Sequence, residues 1–117
     1  MTNALIVFVA LEHVWFFVLE SFLWTRPLGL RVFRQTPDQA RASAALAANQ
    51  GVYNGFLAAG LLWSVFAPPE LAPALKVFFL SCVIVAGVVG AATVSYRILF
   101  IQALPAAVAL SAVLFAS

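Results

Sequence analysis

Charge is scarce in this sequence: six basic and four acidic side chains stand among 117 residues, so that 9% of the chain is charged and 65% is hydrophobic. A soluble domain usually carries about 25% charged residues. A chain this short also has difficulty covering so much apolar side chain with polar surface. Cysteine and histidine each occur once. An intramolecular disulfide is thereby excluded, and no cysteine-and-histidine spacing points to zinc or iron–sulfur, so no metal is expected. Cys82, set between Ser81 and Val83-Ile84, reads as an inert buried thiol. There is no glycine-rich phosphate loop and no framework that would activate Ser21, Ser43 or Ser64. The net charge of +2 is concentrated in one short segment and forms no nucleic-acid surface, so nucleic acid is not expected as a partner.

What the chain does have is long apolar stretches. With lipid as the solvent the composition becomes natural, and four spans of roughly 20 residues with short turns use nearly all of the length. The spans run from about 3 to 24, 42 to 66, 73 to 95 and 98 to 116, forming a single domain over residues 1–117. Thr25-Arg26-Pro27 ends the first, Pro68-Pro69 ends the second, and Tyr96-Arg97 is the only polar punctuation between the last two. The N-terminus lacks the basic leading region of a signal peptide and is read as a retained span. Thr36-Pro37-Asp38-Gln39 has the form of a helix start, with Thr36 as cap, Pro37 at the first helical position and Gln39 at the capping-box position. The expected fold is therefore all-α, an integral membrane four-helix bundle.

Orientation follows from the arginines. Arg26, Arg31, Arg34 and Arg41 lie in the first connection and Arg97 in the third, against Lys76 near the second. Positive charge marks the cytoplasmic side, so both termini are expected outside. The expected location is the bacterial cytoplasmic (inner) membrane, with membrane lipid as surroundings. Trp24 and Trp63 fall near span ends, as interfacial anchors do. A ladder of small residues, Ala47, Gly51, Gly55 and Ala59, gives the second span a face for close helix approach.

The informative side chains are those that lipid should exclude. Glu12, His13 and Glu20 lie in the first span, Asn49, Gln50 and Asn54 beside Tyr53 in the second, and Gln102 in the fourth. Ionisable groups at membrane depth normally face a bundle interior or a hydrated cavity. His13 and Glu20, seven residues apart, lie within about 20° on one helix face, and Glu12 is turned away from His13 by roughly 100°. Gln50 shares a face with Asn54, and Asn49 with Tyr53. Measured from the cytoplasmic ends at about 1.5 Å per residue, all of these groups fall in the cytoplasmic half or near the midplane. A connected polar pocket opening inward accounts for them; a hydrogen-bonded packing network is the plainer explanation. In the pocket reading Glu12, Glu20 and His13 are the catalytic candidates for proton transfer, with Glu20 alternatively an interface residue paired to Arg26 or Arg97. Asn49, Gln50, Tyr53, Asn54 and Gln102 would orient a ligand.

These residues resemble an uncharacterised family of small bacterial and fungal membrane proteins, known as a four-helix domain of unknown function. The resemblance runs through Glu12-His13, Glu20, Phe22-Leu23-Trp24, Val32-Phe33, Thr36-Pro37, Ala48-Asn49-Gln50-Gly51-Val52-Tyr53-Asn54-Gly55-Phe56-Leu57-Ala58-Ala59-Gly60 and Gln102-Ala103-Leu104-Pro105-Ala106. It implies the four-span fold and a shared polar centre on Glu12, His13, Glu20, Asn49, Gln50, Asn54 and Gln102. Some members carry an epimerase label, but this sequence has no nucleotide fingerprint. The resemblance names no cofactor. The expected function is binding, extending to conversion, of a small lipophilic ligand in the intramembrane pocket. Two other readings stay open: a membrane interaction subunit or scaffold without catalysis, and a small-molecule transporter, which with four spans would need to act as a homo-oligomer.

Overall fold

The computed structural model describes residues 1–115, and among them every regular element is helical. α1 spans Thr2–Ser21, α2 Pro27–Phe33, α3 Pro37–Phe66, α4 Ala72–Thr93 and α5 Leu104–Phe115. A π-helical turn, Leu99–Ala103, leads directly into α5. The all-α expectation holds. The predicted end of the last span at Ala116, and the outside position expected for Ser117, lie outside the described residues.

Among the described residues, α1 and α4 are long and apolar enough to cross a membrane, at 20 and 22 residues. The other two expected spans differ from expectation for separate reasons. α3 has the length, at 30 residues, but Asn49, Gln50 and Asn54 dilute its apolar character. The apolar stretch Leu99–Phe115 is shorter than a full span and is not uniformly α-helical. Pro105 lacks an N–H, so the carbonyl four residues before it loses its donor. The backbone widens instead, and the Leu104 N–H reaches the Leu99 carbonyl, five residues back.

The chain folds as two compact units. The first takes Met1–Leu11 with the chain from Leu57 onward. Its core is aliphatic: Ile6, Val9 and Ala10 of α1, Leu61 of α3, Leu80 and Val83 of α4, and Ala106 and Ala109 of α5 are all buried. Segments of four helices therefore share one core. α4 and the π turn touch backbone to side chain, since a Cβ on Gly87 would stand 2.8 Å from the Ala103 Cβ. On the polar edge, the Lys76 ammonium donates to Asn3 Oδ1 at 2.9 Å.

The second unit is Glu12–Phe56: the last half of α1, α2, and the first two thirds of α3. The capping box forms as read from the sequence. The Thr36 N–H donates to Gln39 Oε1 at 3.0 Å, and the Gln39 N–H donates to Thr36 Oγ1 at 3.2 Å. α2 was not foreseen, its residues being placed in a connection. It is held from outside, because Gly29 lies so close to the Leu23 carbonyl that a Cβ there would collide with it. Arg34 ends α2 in the left-handed conformation, φ 54 and ψ 48, with its N–H donated to the Leu30 carbonyl.

Candidate functional site

Two glycines bring α1 and α3 together within the second unit. A Cβ on Gly51 would stand 3.1 Å from the Phe17 carbonyl oxygen and 3.1 Å from the Glu20 Cβ, and one on Gly55 would meet the Phe17 ring at 3.5 Å. Two members of the predicted small-residue ladder, Gly51 and Gly55, thus find their partner in α1. The approach allows three polar ties. Asn54 Nδ2 donates to Glu20 Oε1. Ser21 Oγ donates to the Ala48 carbonyl at 3.0 Å. Trp24 Nε1 donates to Ser43 Oγ at 3.1 Å, and that hydroxyl donates on to the Gln39 carbonyl at 3.0 Å. Trp24 also packs against Phe33, ring centroids 4.6 Å apart and planes tilted by 45°, which ties α2 to the same patch.

The three ionisable residues of α1 differ in their surroundings. His13 is fully buried and meets the Phe16 ring edge-on at 5.2 Å. Glu20 is half-buried and takes the Asn54 amide, so its partner is an amide of α3 and not Arg26. Glu12 is half-buried, and its Oε1 is withdrawn from solvent with no hydrogen-bond partner.

The polar sector expected on α3 divides. Asn54 is buried, at 8% exposure. Asn49, Gln50 and Tyr53 are exposed on the outside of the helix, which departs from the interior pocket wall the sequence suggested. The reason is the helical angle: Asn54 stands about 140° around the axis from Asn49, so packing Asn54 on Glu20 turns Asn49 and Tyr53 outward. Gln50, sharing Asn54's side, remains at the rim. Gln102 belongs to the other unit, half-buried on the π turn. Sequence reasoning missed that turn, although Pro105 was its visible signal. Sequence reasoning also missed Ser21, Ser43 and Trp24 as ties between helices. Their only signal was hydroxyls near span ends.

Elsewhere, a shallow apolar depression on α4 is lined by Phe78, Ser81, Cys82, Val85 and Ala86 and contains none of the predicted site residues. Cys82 is there partly exposed, not the buried thiol expected from its apolar neighbours. Among the described residues, no three His, Cys, Asp or Glu side chains gather as a metal site would require.

A family model described as Protein of unknown function (DUF1304) matches residues 7–114. The Lactococcus lactis subsp. lactis (strain IL1403) protein described as Uncharacterized protein YpaA is 28% identical over 104 residues, covering 87% of this chain and 87% of its own length. No solved structure matches the chain.

Proposed function

We propose, from the premise that this chain belongs to the DUF1304 family, that it is a four-span membrane protein that binds a small lipophilic molecule through polar groups of α1 and α3. The family description specifies no reaction, so the reading stands on the residues. α1 and α4 have the length and composition of spans, and α3 and the Leu99–Phe115 stretch supply the remaining two passes. The arginines between α1 and α3 favour both ends outside, in a bacterial cytoplasmic membrane.

The observation that carries the binding reading is Glu12 Oε1, buried without a donor. An unsatisfied buried polar atom costs about 1–3 kcal/mol, and more for a charged group. A ligand hydroxyl or amine would remove that cost, which selects a lipophile carrying a hydrogen-bond donor. Asn54 holds the Glu20 carboxyl in one orientation, and His13 lies two turns before Glu20 on the same face of α1. These groups supply proton transfer if the bound molecule has a proton to move. Binding is the centre of the proposal, with conversion subordinate to it.

Native mass spectrometry on protein purified in a mild detergent tests it, with wild type and Glu12→Leu compared on the same preparation. The wild type is expected to carry a bound lipophilic mass. Glu12→Leu is expected to reduce its occupancy by about tenfold, the equivalent of one polar contact, and to raise the thermal midpoint only when both proteins are compared free of ligand, where an unpaired oxygen is removed. Equal occupancy in the two proteins, or a wild type without bound mass, would reduce Glu12 to a packing feature.

A further inference from the structure

The short helix α2 presents a surface that the binding site does not use. Gly29 is pressed against the Leu23 carbonyl and the Phe33 ring against Trp24. These two residues are four apart and share one side of α2, so that side is committed to the chain. At about 100° per residue, Leu28, Arg31 and Val32 fall together within a sector of about 100° on the other side. All three are exposed, Leu28 by 36% and Val32 by 46%. Arg26 and Arg34 flank the helix and are exposed as well. Arg41, the next cation along the chain, is paired with Asp38. Among the described residues no carboxylate pairs with Arg26, Arg31 or Arg34. Three unneutralised guanidinium groups and two aliphatic side chains therefore belong to one short stretch of surface.

We infer that this surface seats the headgroup of an anionic phospholipid. Its charge selects the occupant's sign, and its place in the chain selects a lipid. The 20 residues of α1 rise about 30 Å, the thickness of a bilayer's hydrocarbon core. Arg26 follows the last residue of α1 by five, so a spanning α1 delivers the arginines at the level of the lipid phosphates. The inference rests on the proposed membrane reading of α1. Guanidinium forks match phosphate oxygens in bidentate pairs. Leu28 and Val32 suit the upper acyl region, and Arg31 between them keeps its charge at the phosphates while its stem lies among the chains. A zwitterionic lipid carries its own ammonium beside the phosphate, which offsets the attraction. A soluble phosphate or a nucleic acid supplies the charge but nothing against which Leu28 and Val32 are buried. Orientation by positive charge needs only a count of basic residues in a connection. A seat needs the folded surface, and it persists in the purified protein.

Native mass spectrometry of the full chain in a neutral detergent tests the seat. Separate titrations use phosphatidylglycerol, phosphatidylcholine, glycerol phosphate and a short RNA. Phosphatidylglycerol is expected to bind at least about tenfold more tightly than each of the other three. Arg31→Gln is expected to weaken it roughly fivefold, and Arg31→Gln with Arg34→Asn roughly thirtyfold, leaving phosphatidylcholine unaffected. Asparagine suits the left-handed backbone of residue 34, and both side chains are exposed, so circular dichroism should not change. Arg41→Gln removes the same unit of charge from an arginine already paired, and is expected to cost less than about twofold. Equal binding of the two lipids, equally tight binding of glycerol phosphate or RNA, or an Arg41→Gln loss as large as that of Arg31→Gln overturns the seat. Carbonate washing of membranes from expressing cells separates the premises. A chain released by carbonate overturns the membrane reading together with the seat, whereas a retained chain without lipid selectivity overturns the seat alone.

Discussion

Glu20 and Asn54 are 34 positions apart, and their hydrogen bond exists because Gly51 and Gly55 let α3 approach the last turns of α1. Replacing Asn54 by leucine keeps the volume and removes the donor. The expected loss is about 1–3 kcal/mol of stability, the usual cost of orphaning a buried acceptor, read as a lower thermal midpoint in detergent. Glu20→Leu alone should cost a similar amount, and the double variant less than the sum, because the two residues form one interaction. The sequence made these two residues suspects without making them partners. A carboxylate and an amide in apolar helices are conspicuous on composition alone, whereas their pairing depends on which glycines face which helix. Asn49 and Gln50 were equally conspicuous and lie outside. One helix turn separates an interior amide from an exterior one, and residue type does not distinguish them.

At the scale of elements, the helix boundaries were legible wherever punctuation is chemical. Thr36 and Gln39 mark the start of α3 through a reciprocal cap, and Pro68-Pro69 marks its end. α2 escaped notice because seven residues carry too little periodicity, and because its anchor is a tertiary contact between Gly29 and the Leu23 carbonyl. Two substitutions at its ends should act with opposite sign. Gly29→Ala puts a methyl group into a backbone carbonyl and is expected to destabilise by about 1–3 kcal/mol, as other overpacked sites do. Arg34→Gly removes the steric cost of a left-handed non-glycine residue and is expected to stabilise by about 1 kcal/mol. Thermal unfolding of both variants in the same detergent checks the pair. A neutral Gly29→Ala would mean that α2 adjusts its position freely.

For the whole molecule, the decisive quantity is where its few charges fall. Arg26, Arg31, Arg34 and Arg41 lie within 16 residues of one another, while Glu70 and Lys76 flank the start of α4. In the four-span reading the first group is cytoplasmic and the second external. Cysteines introduced singly as Arg31→Cys and Glu70→Cys, in a Cys82→Ala background, should therefore respond oppositely to a membrane-impermeant maleimide applied to intact cells. Residue 70 is expected to label and residue 31 to label only after permeabilisation. Labelling of both from outside would require a different number of passes. Composition made the helical class plain, because little else can satisfy backbone polar groups in so apolar a chain. The amides of α3 weaken its resemblance to an ordinary span, so residues singled out as site candidates also blur the count.

The π turn gives the last helix an adjustable phase. Each residue added to or removed from a helix rotates the downstream part of that helix by about 100°, and a five-residue hydrogen-bonded turn stores one such step without breaking the rod. Gln102 and the alanine face formed by Ala103, Ala106 and Ala109, which are buried, hold their present angular relation because of that stored step. Deleting Ile101 should return the segment toward a regular α-helix. Helical content by circular dichroism should stay nearly constant while the thermal midpoint falls, because either Gln102 or the alanine face must rotate out of place. The same reasoning makes this turn the point at which the chain could gain or lose a single residue over evolutionary time and still build a helix, with Gln102 re-aimed as the consequence.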